Sequence, residues 1–182
     1  KSKEFDVSGY IKSVLDSTYR LQNENYIVFT GTTNEMANSN HTTTISNAAV
    51  HFLEKYKINA SDTQRASLES IFSAVYQNCP YTVLEKVKTD SGYNITVNYT
   101  PMIAFQSLST QIESIKGRAG DSAYNIGAAY IDDVIALCKS VSENPTYGEV
   151  QSQIFDIRLS ENGELSLNIH LFTLLDEQIL PF

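Results

Sequence analysis

Between Tyr93 and Thr100 the chain alternates without a break. Tyr93, Ile95, Val97 and Tyr99 are apolar or aromatic, and Asn94, Thr96, Asn98 and Thr100 are polar. A period of two sends these sets to opposite faces of a strand, so the segment requires a sheet with one face buried and one wet. Just upstream, Tyr81, Val83, Glu85 and Val87 alternate with Thr82, Leu84, Lys86 and Lys88, and Asp90-Ser91-Gly92 supplies a turn. The two runs predict a hairpin that ends at Pro101. A lone hairpin has too little to bury, so the rest of the chain must cover its apolar face.

The flanking sequence has the helical period. Val7, Tyr10, Ile11, Val14, Leu15 and Tyr19 write one face of a first helix, and the apolar Tyr26-Ile27-Val28-Phe29 ends at Gly31. Thr33 is an N-cap for a second helix that reaches about Lys57 on Ile45, Ala48, Ala49, Phe52, Leu53 and Tyr56. The part of it from Asn38 to Thr44 is rich in Asn and Thr and poor in helix formers, so it either frays or is held by packing. Ser61 and Gln64 form a capping-box pattern before a third helix on Leu68, Ile71, Phe72, Val75 and Tyr76. After Pro101, Phe105, Leu108, Ile112 and Ile115 predict another helix that closes at Gly117-Arg118-Ala119-Gly120. A long one follows from about Ser122 to Ser142, where Ala123, Gly127 and Ala128 would admit a close neighbour. Tyr147–Leu159 and Glu164–Leu167 flank Glu161-Asn162-Gly163, a second hairpin with an Asn-Gly turn. Ile169, Phe172, Leu175 and Ile179 give a closing helix.

The order is αααββααββα. Segregated helices and antiparallel hairpins argue for an α+β fold, with helices packed on one face of an antiparallel sheet of about four strands. Residues 1–6 read as a tether and 7–182 as a single domain. The chain begins at Lys1 rather than Met, as expected if it starts inside a longer precursor or follows a removed tag.

Charge excludes several functions. The 182 residues carry 13 Lys plus Arg against 21 Asp plus Glu, a net charge of −8. Nucleic-acid binding and polybasic membrane binding both need a basic footprint that this composition lacks. The charge is also unevenly spread. No Lys or Arg lies between Arg20 and Lys55, and none follows Arg158. Polar but nearly uncharged helices suit a partner surface, because interface cores are depleted in charge.

No local motif announces catalysis. G-x-S-x-G, P-loop, G-x-G-x-x-G, C-x-x-C and EF-hand patterns are absent. His41 and His51 share a helix about 15 Å apart by helical rise, too far to share a metal. His51 and Glu54 stand at i, i+3 without an evident third ligand, and His170 sits among apolar residues of the last helix. Asp132-Asp133 and Asp176-Glu177 read as solvated helix faces. Cys138 lies on an apolar stripe as a buried thiol, although a disulfide to Cys79 is an alternative. No catalytic residue, metal site or cofactor is expected.

The opening Phe5-Asp6-Val7-Ser8-Gly9-Tyr10-Ile11-Lys12-Ser13-Val14-Leu15-Asp16-Ser17-Thr18-Tyr19 resembles the start of the mature part of small lipoproteins from Gram-positive bacteria. The stretch Tyr26–Glu35, the Tyr81–Tyr99 hairpin and the ending from Asn162-Gly163-Glu164 through Leu174-Leu175-Asp176 are similar to that family as well. The resemblance implies an extracytoplasmic domain held at the cell membrane by a lipidated Cys ahead of Lys1. The family has no assigned activity, so no functional residue carries over. The run Thr42-Thr43-Thr44 departs from its pattern.

Two functional expectations follow. The first is a noncatalytic binding or interaction module for a protein or small ligand at the cell envelope. Its contact surface would be the wet strand face, Asn94, Thr96 and Asn98, or the region containing Asn38, Asn40 and Thr43. The second is a small-molecule pocket between helices and sheet, with hydrolase or isomerase chemistry. For that reading Glu85 is the candidate base, because it occupies the apparent apolar face of its strand.

Overall fold

The structure, a computed structural model, describes residues 4–118 and 129–182. Helices α1 (Val7–Arg20), α2 (Glu24–Thr30), α3 (Asn34–Lys55) and α4 (Asp62–Gln77) come first. Strands β1 (Tyr81–Val83), β2 (Val87–Lys88) and β3 (Gly92–Tyr99) follow, then a short 3-10 turn at Ala104–Ser107. Helices α5 (Ser109–Arg118) and α6 (Ala129–Glu143), strands β4 (Gln151–Leu159) and β5 (Leu165–Leu167), and helix α7 (His170–Ile179) complete the chain. Of the expected close of α5 at Gly117-Arg118-Ala119-Gly120, Gly117 and Arg118 are still helical, and Ala119-Gly120 lie outside the described residues, as does the start of the next helix with Ala123, Gly127 and Ala128.

The fold is α+β, as the alternation of periods requires. β1 and β2 lie along one side of β3, followed by β4 and β5, and all pairings are antiparallel. Ile95 and Val97 of β3 and Phe155 and Ile157 of β4 are buried on the inner face against the helices. Four phenylalanines join the layers. Phe72 of α4 lies 5.8 Å from Phe52 of α3, 5.5 Å from Phe105 and 5.1 Å from Phe182, centroid to centroid.

The polar start of α3 does not fray, because tertiary hydrogen bonds replace helix propensity. His41, only 3% exposed, donates from Nδ1 to the Thr18 carbonyl (2.7 Å) and pairs through Nε2 with the Ser73 hydroxyl (2.7 Å). Asn23 donates to Asn38 (2.6 Å), and Asn40 donates to Ser17 (3.0 Å). The residues least suited to a helix are the ones that tie α3 to α1, α2 and α4.

Three further departures from the sequence pattern have local causes. Tyr26–Phe29 is part of a seven-residue helix ended by Gly31 in the left-handed region (φ 68°), a fourth helix where three were expected. Ile169, assigned to the core stripe of the last helix, stands before its first turn and is 70% exposed. The residues before α1 are engaged with the fold: Asp6 caps α1 through the Gly9 amide, Phe5 packs on Tyr10 and Phe29, and Glu4 accepts from Lys86 and Tyr93.

The expected capping box opens α4. The Gln64 amide donates to Ser61 Oγ (3.2 Å), and the Ser61 amide donates to Gln64 Oε1 (3.0 Å). Gln64 Nε2 also reaches Asp132 of α6 (3.0 Å). Ser61→Ala should therefore lower stability by about 1 kcal/mol in urea unfolding. An unchanged midpoint and slope would show that the cap contributes nothing.

Candidate functional site

The first strand of the hairpin is interrupted. Val83 faces Val97, but Val87 faces Asn94, so four steps on one strand match three on the other. One extra residue is a β-bulge, and it turns every later side chain to the opposite face. Val87 consequently joins the outer face and is 64% exposed. Glu85 lies in the bulged segment outside any strand, and it too is exposed. It does not occupy the apolar face, which corrects the placement on which its role as a buried base rested.

Asn94, Thr96 and Asn98 do face away from the core, opposite Asp156, Ile154 and Ser152 of β4. Ser152 donates to Asn98 (2.7 Å), and Ile154 is 53% exposed beside Thr96. These three residues form one polar strip flanked by two exposed apolar side chains, Ile154 opposite Thr96 and Val87 opposite Asn94.

A more concave arrangement lies on the other side of the molecule, where α7 crosses α3. Two depressions of about 190 and 280 Å³ adjoin there and share Thr44, Asn47, Thr173 and Asp176. The smaller is floored by Tyr76, Leu180 and Phe182, with His51 and Glu177 at its mouth. Asn40 and Thr43 line the larger beside Thr18 and Ser39 of α1 and α3. Two of the three residues expected at the start of α3 therefore reach this crevice. Asn38 lines neither depression and instead holds Asn23.

Asp176 is the centre of the crevice. Its Oδ1 accepts from the Tyr19 hydroxyl (2.6 Å), its Oδ2 from Thr44 (3.1 Å), and its carbonyl from the Tyr76 hydroxyl (2.9 Å). Tyr19 and Tyr76 stack at 5.4 Å with planes only 6° apart, so α1 and α4 present their hydroxyls to one turn of α7. Burial pushes the Asp176 carboxyl up to about 6, against the two side-chain hydrogen bonds that favour its ionised form. Burial also drives the Tyr19 and Tyr76 phenols well above their ordinary range, so both remain neutral donors. Beyond Tyr19, the Tyr81 ring packs edge-on and its hydroxyl donates to Asp16, which also holds Lys12.

Asp176 was expected on a solvated face, and the structure corrects this for Asp176 but leaves Glu177 exposed. The missed signal is one of spacing. Asp176 stands four residues after Phe172 and three before Ile179, within the apolar stripe of its own helix. A carboxylate in such a stripe needs buried donors, and a single sequence does not reveal which segments bring them.

The remaining candidates are placed as follows. His51, about half exposed, lies 3.9 Å from Glu177. His170, Asp132 and Asp133 are exposed. Cys79 and Cys138 are buried free thiols, each pushed up to about 12 by burial and so protonated. Among the described residues no group of three or more His, Cys, Asp and Glu side chains is placed to hold a metal ion.

No protein-family model matches the sequence, and no curated protein matches it significantly. Among solved structures the fold is similar to that of a candidate lipoprotein (ycdA) from Bacillus subtilis, with a TM-score of 0.64 at 9% identity. The likeness covers 97% of this chain and 56% of that one, so this chain spans little more than half the length of its structural neighbour. At that identity the likeness extends to the fold alone.

Proposed function

We propose that this chain is an extracytoplasmic, lipid-anchored binding module without chemistry of its own, and that it takes a ligand of the cell envelope in the crevice around Asp176. The observation that carries the binding reading is the convergence of α1, α3 and α4 on one residue of α7, Asp176, whose half-buried carboxylate accepts from Tyr19 and Thr44 and lines two adjoining depressions. A concave site with few polar groups, held by rigid helices, is the common build of a small-ligand site. The anchoring reading is supported by the fold shared with the candidate lipoprotein and by the resemblance at Phe5–Tyr19. Contact with the membrane would run through the N-terminal anchor. Among the described residues no helix is long and apolar enough to cross a membrane. The charge of −8 argues against a nucleic-acid partner.

The test is thermal unfolding against a panel of amines, sugars, nucleotides, peptides and metal ions. A ligand at 100 times its Kd adds about 2.7 kcal/mol, a shift of several degrees for a domain of this size. One class should raise the Tm, and Thr43→Lys, an exposed substitution at the crevice rim, should cancel the rise without lowering the Tm of the free protein. A flat panel would remove the crevice as a small-ligand site. A second reading then gains weight, in which a protein partner docks on the strip of Asn94, Thr96 and Asn98 beside the exposed Ile154. Lys at those three positions would abolish capture of such a partner, and unchanged capture would exclude that face.

A further inference from the structure

We infer that the crevice binds a small organic molecule through an ammonium group, which sits against the Asp176 carboxylate while its apolar part lies on Tyr76, Leu180 and Phe182. This deepens the binding reading above and rests on it.

The walls carry the inference first. The two stretches without Lys or Arg, residues 21–54 and 159–182, are far apart in sequence. The fold brings them together, because α3 comes from the first and α7 from the second. Among the described residues, neither depression is lined by Lys or Arg, although the chain has 13 of them. Among the described residues the only basic side chain at the crevice is His51, set at the mouth beside Glu177. A site built for a phosphate, sulfate or carboxylate would have the opposite composition.

The bonding of Asp176 points the same way. Tyr19 and Thr44 each give it one neutral hydrogen bond, and each carboxylate oxygen can accept another. The described residues supply two hydroxyls and no cation, so an ionised Asp176 has no counter-charge among them. Because burial raises its pKa to about 6, the carboxylate is ionised at neutral pH at some expense to stability. A bound ammonium would offset that expense, and a neutral alcohol would not. The floor adds a third contribution, since Tyr76, Leu180 and Phe182 give the rest of the molecule an apolar surface to cover. The depression floored by Tyr76, Leu180 and Phe182, about 190 Å³, is smaller than the roughly 300 Å³ at which sites for drug-sized ligands begin, so the group seated there is small.

The experiment is an NMR titration of the 15N-labelled protein with three probes of one shape: 2-phenylethylamine, 2-phenylethanol and phenylacetate. The amine should shift amides of residues 44–51 and 173–180 and bind at least tenfold more tightly than the alcohol, with no binding of the anion. Asn47→Lys places a cation at the exposed rim shared by both depressions. It should weaken the amine at least tenfold and the alcohol less than twofold. Asp176→Asn should make amine and alcohol equal, with circular dichroism and melting confirming that the variant is folded. Equal binding of amine and alcohol by the wild type, or preference for the anion, would overturn the ammonium inference while leaving the crevice as a binding site. No shift at these amides with any probe would overturn both.

Discussion

Asp176→Asn should make the protein more stable near neutral pH, and the advantage should vanish near pH 4. In the folded protein the carboxyl titrates at about 6, above its ordinary value of 3.8, chiefly because burial disfavours the charged form. Between those values the folded state holds a proton that the unfolded chain has released, so raising the pH drives the equilibrium toward unfolding. The stabilising contribution is complete below the unfolded value and is lost as the pH rises through about 6. Its upper size is about 3 kcal/mol. Asn is nearly isosteric and keeps an acceptor for Tyr19, and its amide can donate to the Thr44 hydroxyl. The groups that share the environment are Tyr19 from α1, His51 from α3, Tyr76 and Cys79 from the α4 end, and Glu177 from α7. They are common to both proteins and cancel to first order in the difference. Urea unfolding of both proteins at about pH 4 and about pH 7.5 checks the claim. A variant less stable than the wild type at the higher pH would show that the hydrogen bonds to the ionised carboxylate outweigh its desolvation.

Phe72→Ala should be the most damaging single truncation, at about 3–5 kcal/mol. The side chain is fully buried, and its ring touches Phe52 of α3, Phe105 after the first hairpin, and Phe182 at the end of the chain. Its loss leaves a cavity at the point where the helical layer, the turn after β3 and the C-terminal segment meet. Rigid helices around the void cannot collapse to refill it. Leu180 and Phe182 also floor the crevice, so the variant should lose affinity for any crevice ligand together with stability. Chemical denaturation measures the first effect and ligand titration the second. A loss below about 1.5 kcal/mol would mean that the aromatic cluster repacks, which volume-conserving changes do and truncations rarely do.

The elements of this protein were legible because each is written in a period that tolerates little ambiguity. Val7–Tyr19, Leu68–Tyr76 and Tyr93–Tyr99 read as their observed elements directly, as do the Thr33 N-cap, the Ser61–Gln64 box and the turn at Gly163. Local signals of this kind are satisfied within a few residues of themselves, so one sequence suffices to read them. The bulge between Val83 and Val87 was not legible, because Glu85 and Val87 continue an apparent alternation and nothing local marks the extra residue. A one-residue slip then moved both out of the core face, and Glu85 was the candidate base.

The candidate site divides along the same line. Composition and spacing determined the two cation-free stretches, the helices that contain them and the outward face of Asn94, Thr96 and Asn98. Only the tertiary structure decided that Asn38 is occupied in holding α2 and that Asn40 and Thr43 reach a crevice. It alone turned Asp176 from a solvated residue into a half-buried, hydrogen-bonded centre. The donors to its carboxylate lie 157 and 132 residues away in the chain, at Tyr19 and Thr44. Periodicity assigns a side chain to a face of its own helix. Which distant hydroxyls meet it there depends on how the helices cross, and that is set by packing summed over the whole core.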